Sequence, residues 1–329
     1  MRYVIYGAGG IGGSIGARLF LAGHSVILIA RGENARVLRE SGLTFITPET
    51  RQQLDIETVE HPRDIEWQVD DLVLLTVKSQ DTVGALEDLE IVAPPELGVV
   101  CCQNGVANER AALRRFARTY GMLINLPASH LNPGEVVNDA VGKGGILDTG
   151  CYPQGIDATV VELTDALMQA GFSALPAEQI MRQKYAKLLM NLGNSLQAAV
   201  GAQDGWQDLA RQMRREALAC YAAAGIDCAT KEEVRARADG VYRLGNVPGF
   251  ERRGGSSWQS IKRGTGNIET DYLNGEIVQL GRLYGVPTPA NVASQIIARR
   301  LVAERGSPES VPIAHFQELV VELSECAVP

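Results

Sequence analysis

The chain has 329 residues, 45% hydrophobic and 5% aromatic, with a formal net charge of −8. That length allows two domains with ample cores. The acidic balance, and the lack of a basic stripe interleaved with aromatics, exclude nucleic acid as a main partner. No apolar run reaches the roughly 18–20 residues that cross a bilayer: Arg18 and His24 interrupt the first candidate, and Lys78 ends the run from Leu72 to Val77. A first strand starting at residue 2 or 3 leaves no room for a signal peptide, so a cytoplasmic protein without membrane attachment is expected. Six cysteines (Cys101, Cys102, Cys151, Cys220, Cys228, Cys326) form no C-x-x-C, and with four histidines they offer no metal-ligand spacing. Buried free thiols and no bound metal are expected.

The apolar run Tyr3-Val4-Ile5-Tyr6 reads as a strand and leads directly into Gly7-Ala8-Gly9-Gly10-Ile11-Gly12, which opens an Ala/Leu-rich helix over 11–22. This strand–turn–helix setting is what a dinucleotide fingerprint requires. Gly7 permits the tight turn, Gly9 admits the pyrophosphate to the backbone, and Gly12 allows close helix–strand packing. The second strand, 25–29, ends at Ala30-Arg31, where an NAD-type site would place an acid for the ribose hydroxyl. Ala30 removes the repulsion on a 2′-phosphate and Arg31 supplies a forked donor, which points to NADP(H); the nearby Glu33 remains within reach of a ribose.

Helix 33–41, a hairpin-like stretch over 43–60, strand 71–77, helix 80–89, strand 97–102, helix 107–118 and strand 120–125 follow, the βαβ alternation of a mostly parallel, doubly wound sheet. Short strands over 135–149 are expected to extend it, followed by a helix over 158–170 and a strand over 172–175. Pro176 marks the boundary between a domain over 1–176 and a helical one over 177–329. In the second, helices are expected over 178–199, 205–224, 230–242, 256–262, 267–285, 289–304 and 315–325, punctuated by Gly and Pro.

Four groups of residues invite chemistry. Lys78 and Gln103-Asn104-Gly105 follow two central strands at the carboxyl edge, where open α/β sheets bind ligands, although either could be an ordinary turn. Lys187, Asn191 and Asn194 stand at i, i+4 and i+7 on one face of a continuous 178–199 helix. Desolvation there would lower the lysine pKa and make it a proton donor near neutral pH, while a solvated stripe is the alternative. Glu269 would share a helix face with Leu273, Ile277 and Leu280, although a carboxylate that early also suits a helix start.

Taken together, Gly7-x-Gly9-x-x-Gly12, Arg31, Thr76-Val77-Lys78, Gln103-Asn104-Gly105, Pro133-Gly134 with Val136, Lys187-x-x-x-Asn191, Ser256-Ser257 and Glu269-x-Asp271-Tyr272-x-Asn274-Gly275 resemble the ketopantoate reductase family over nearly the whole chain. The resemblance implies a Rossmann-type domain followed by an all-α domain similar to that of 6-phosphogluconate dehydrogenase, with the active site in the cleft between them. It implies NADP(H) held by Gly7 to Gly12, Arg31, Lys78 and Asn104, with Asn104 where cofactor and substrate meet. It further implies Lys187 as general acid, Asn191 and Ser257 as substrate contacts, and Glu269 beside the reacting centre. The activity implied is reduction of 2-dehydropantoate to pantoate, on the route to pantothenate and coenzyme A, by a monomer or homodimer. Reduction of another 2-oxo acid, or cofactor binding without catalysis as a sensor, are the alternatives. One departure stands out: Ser195 occupies the place of a second family asparagine, and Asn194, one residue earlier, is about 100° away around a helix.

Overall fold

A computed structural model describes residues 1–250, 254–264 and 268–326. In chain order the elements are β1 (Arg2–Tyr6), α1 (Gly10–Leu21), β2 (Val26–Ile29), α2 (Gly32–Ser41), β3 (Leu43–Ile46), β4 (Arg51–Leu54), β5 (Glu57–Val59), β6 (Asp71–Leu75), α3 (Thr82–Val92), β7 (Gly98–Cys101), α4 (Asn108–Leu113), β8 (Arg118–Met122), β9 (Ala128–Ser129), β10 (Glu135–Asn138), β11 (Ala140–Gly142), β12 (Thr149–Cys151) and α5 (Ala158–Gln169). There follow α6 (Ile180–Asn191), α7 (Asn194–Val200), α8 (Trp206–Ala224), α9 (Lys231–Ala238), β13 (Tyr242–Leu244), α10 (Ser256–Lys262), α11 (Asn274–Tyr284), α12 (Pro289–Ala303) and α13 (Ile313–Cys326). The chain divides into two compact units, residues 1–184 with 230–251, and residues 185–229 with 252–329. The division thus falls inside α6, and residues 230–251 return to the first unit.

The first unit is built on a seven-stranded sheet of order β12-β8-β7-β6-β1-β2-β5, parallel apart from β12 against β8. Its central strands are apolar on both sides because both sides are covered. Ile5, Leu28, Leu74 and Val100 pack with Ile15 and Leu19 of α1 and Leu163 and Leu167 of α5. Val4, Ile27, Val73 and Val99 face the opposite way, onto Ala85, Leu86 and Leu89 of α3 and onto Phe116. The register pairs Tyr6 with both Ile29 and Leu75, and Leu75 with Cys101. The strands therefore end level, and Gly7, Ala30-Arg31, Thr76-Val77-Lys78 and Cys102-Gln103-Asn104 emerge along one rim.

Several elements differ from the expectations. The hairpin forms, but β3 and β4 join β10 and β9 in a separate four-stranded sheet, while β5 goes to the edge of the main one. Of the strands expected to extend the main sheet, only β12 does so; β10 pairs with β3, and β11 with β13. Residues 172–175 make one isolated bridge, from Ser173 to Ile146, rather than a strand, and the helix expected over 230–242 stops at Ala238, giving way to β13. Helix 178–199 is broken after Asn191, with α7 restarting at Asn194 beyond Gly193; glycine is a poor helix former. Residue 267 lies outside the described residues, and Glu269 sits on a short 3₁₀ turn separated from α11 by Leu273, whose φ of −111° and ψ of −83° depart from the helix.

The second unit is helical throughout its described residues and encloses a polar seam. Glu216 of α8 caps α12, accepting from the N–H groups of Ala290 (2.9 Å) and Asn291 (3.1 Å) and from the Asn291 side chain (2.8 Å). Burial pushes the Glu216 carboxyl above its ordinary value against these bonds. Asn291 also accepts from Asn274, which donates to the Leu192 carbonyl at 3.0 Å.

The fingerprint glycines should respond differently to a methyl group. A Cβ on Gly12 would run into the Gly7 carbonyl and Thr76 Oγ1, whereas one on Gly9 meets nothing within 4 Å. Gly12→Ala is expected to cost about 1–3 kcal/mol in urea unfolding, and Gly9→Ala to leave stability nearly unchanged while weakening dinucleotide binding.

Candidate functional site

The fingerprint loop is fixed by its neighbours and leaves its donors exposed to a ligand. Gly7, at φ +115°, turns the chain, with its N–H donating to the Ile29 carbonyl at 3.0 Å. Thr76 Oγ1 donates to the carbonyls of Tyr6 and Gly7. Asn34 donates to the Ala8 carbonyl and accepts from the Gly134 N–H, tying the loop to Pro133-Gly134. At α1 no side chain caps the helix, whose N-cap is Gly9. The first N–H groups of a helix have no acceptor of their own, so those of Gly10, Ile11 and Gly12 form a cradle for an anionic group with the helix dipole behind it. These residues fit a dinucleotide pyrophosphate.

Farther along the rim, a buried network shapes the next two loops. The Gln103 amide donates to the Val77 carbonyl (2.8 Å) and to Thr82 (2.7 Å), and Thr82 donates to Asn108. Asn108 reaches Ser79 and the carbonyl of Asn104. Lys78 and Asn104, both half-buried, are thus carried on loops clamped to each other.

Beneath them lies a pair that the sequence reading missed. Lys184, in the first turns of α6, sits 2.6 Å from Glu109 Oε1, with the two side chains 2% and 0% exposed. Its ammonium also donates to the carbonyls of Gln103 (3.0 Å), Met122 (3.2 Å) and Cys101 (3.4 Å). Gly121, whose absent Cβ would lie 3.4 Å from both partners, makes room for them. Charged residues in a sequence look like surface, and only the fold puts these two together.

In the second unit, Asn191 stands at the break between α6 and α7, with Lys187 one turn before it, and Ser257 and Glu269 are carried on segments that are hydrogen-bonded to the chain around that break. Asn191 ends α6 and is 6% exposed. The next residue, Leu192, accepts from Asn274, and Asn274 accepts from Thr270, the neighbour of Glu269. Gln197 of α7 accepts from the Gly255 N–H, holding the start of α10, on which Ser257 is 2% exposed. Glu269 is 7% exposed, but it sits on a 3₁₀ turn rather than on the helix face expected with Leu273, Ile277 and Leu280. Lys187 is half-buried, and desolvation lowers its pKa. Because the helix breaks, Asn194 is not part of a continuous stripe with Lys187 and Asn191; it stands half-buried near Gly255 while Ser195 is buried at 2% exposure.

Among the described residues no group of His, Cys, Asp and Glu is arranged to hold a metal ion, and no helix is long and apolar enough to cross a membrane. Cys101, Cys102 and Cys220 are buried free thiols, and Cys151 and Cys228 are half-buried ones.

A level-ended parallel sheet, a glycine cradle on its rim and a helical second unit define a dinucleotide-binding oxidoreductase. The family models for ketopantoate reductase PanE/ApbA and for its C-terminal domain match residues 3–153 and 179–299. The chain belongs to the ketopantoate reductase family, which indicates a nicotinamide cofactor. It is 26% identical to the 2-dehydropantoate 2-reductase of Mesorhizobium japonicum, over 93% of this chain and 99% of the relative. It is 28% identical to that of Pyrococcus horikoshii, over 88% and 94%. Among solved structures, a PanE/ApbA family ketopantoate reductase from Ralstonia eutropha superposes with a TM-score of 0.78 at 26% identity, covering 93% of this chain and 99% of that one. A D-mandelate dehydrogenase bound to NADH and anilino(oxo)acetate shares the fold with a TM-score of 0.79 at 22% identity, covering 93% and 99%.

Breaking a buried ion pair strands a charge, so Glu109→Gln and Lys184→Met are each expected to cost about 3–5 kcal/mol in denaturant unfolding. The double variant should cost clearly less than their sum. Strictly additive losses would contradict a coupled pair.

Proposed function

We propose that the protein reduces 2-dehydropantoate to pantoate with NADPH, in the cytoplasm, as a monomer or homodimer. What most supports this reading is the Lys187 ammonium, which desolvation makes more acidic, placed one helical turn before the buried amide of Asn191. When bound, the reduced nicotinamide supplies the hydride. As charge builds on the ketone oxygen, Lys187 stabilises it and then gives up a proton from Nζ, which water later restores. Asn191 and Ser257 orient the acid, and Glu269 lies beside the reacting carbon. In the first unit, the N–H groups of Gly10, Ile11 and Gly12 hold the pyrophosphate next to Gly7, Ala8 and Gly9. Lys78 and Asn104 line the rim, and Arg31 receives the 2′-phosphate.

Ser195 favours a second reading of the substrate alone. A buried serine offers no amide where the family pattern has one, so the same reaction on another 2-oxo acid is the alternative.

Lys187→Ala is expected to lower kcat by about 10²–10⁴-fold while NADPH still binds. In the wild type, kcat should fall as pH rises through the Lys187 pKa, at a lower pH than an ordinary lysine would give, because the ammonium is lost; a variant with near wild-type turnover and an unchanged pH profile would remove Lys187 from the mechanism. For the cofactor, Arg31→Ala should weaken NADPH by about ten- to a hundredfold and barely change NADH, as measured by fluorescence titration.

A further inference from the structure

Arg31 already has an anion beside it. Its Nη2 lies 3.1 Å from Asp88 Oδ2 and donates to the Tyr6 hydroxyl at 2.9 Å. The Tyr6 hydroxyl in turn donates to the same Asp88 oxygen at 3.0 Å. His61 Nε2 stands 3.4 Å from the other carboxylate oxygen. Tyr6 ends β1, is 1% exposed, and cannot move without disturbing the sheet. The Asp88 carboxylate, on α3, is therefore held from two sides.

Arg31 is the loose member of this group. Its side chain is 61% exposed against 32% for Asp88, and it projects from the end of β2. An arginine fork can turn to a second anion, whereas the carboxylate stays where Tyr6 and His61 keep it.

We propose that Asp88 is a specificity-determining residue that competes with a 2′-phosphate for Arg31 and so restrains the preference for NADPH over NADH. The inference rests on Arg31 being the 2′-phosphate partner. Asp88 lowers the affinity for the phosphorylated cofactor in two ways: it occupies one arm of the guanidinium, and it places a fixed negative charge within the reach of Arg31. NADH, which has no 2′-phosphate, is indifferent to both. Asp88→Asn removes the charge, and its amide oxygen can still accept from Tyr6, so the scaffold is kept.

The experiment measures dissociation constants of NADPH and NADH by fluorescence titration for the wild type, Asp88→Asn, Arg31→Ala and the double variant. Asp88→Asn should tighten NADPH by about three- to tenfold, the scale of a partly exposed charge contact, and leave NADH unchanged. The gain should shrink as salt is raised and vanish in the Arg31→Ala background. Unchanged or weaker NADPH binding in Asp88→Asn, with Arg31→Ala still weakening NADPH, would overturn the competition and leave the Arg31 reading intact. If Arg31→Ala left NADPH affinity unchanged, the parent reading and this inference would fall together.

Discussion

The buried ion pair between Lys184 and Glu109 is the constraint around which the rim of the first unit is organised. Taking two charges out of water costs several kcal/mol each, and their attraction offsets this only when the remaining donors are satisfied. Here the ammonium reaches Glu109 and three main-chain carbonyls, from residues 101, 103 and 122, at the ends of β7 and β8. The pair therefore fixes both the loop that carries Asn104 and the start of α6.

The two units use polar groups in different ways. On the rim of the first, buried amides tie loop to loop, and the helix start at Gly9 has no side-chain cap, which leaves its first N–H groups for a ligand. The second unit spends its buried polar groups on itself: Glu216 caps α12, while Asn274 links Asn291 to the α6–α7 break. That seam meets the chain at Leu192, just past Asn191, and reaches Thr270 beside Glu269, while the start of α10 before Ser257 is held by the Gly255–Gln197 bond. A break with no such support would leave unpaired carbonyls in the core.

The parts legible in the sequence were those with local causes. Apolar runs alternating with helical periodicity gave the parallel sheet, and the glycine spacing gave the cradle, because each depends on neighbours within a few residues. What escaped depended on distant partners. The second sheet joins β3 to β10, and β13 comes back to pair with β11. Lys184 and Glu109 read as surface charges until the fold buries them, and Asp88 is one of three acids on α3 until Tyr6 and Arg31 are seen beside it. The break at Gly193 was a local signal that helical periodicity on either side concealed, and it is why Asn194 does not continue the Lys187 face.

Turnover is the most direct test of whether the protein is a reductase. Purified protein should oxidise NADPH in a saturable manner when 2-dehydropantoate is added from a panel of 2-oxo acids, with pantoate as the product. Tight NADPH binding without oxidation in the presence of any acid of the panel would contradict the reductase reading and leave a cofactor-binding protein.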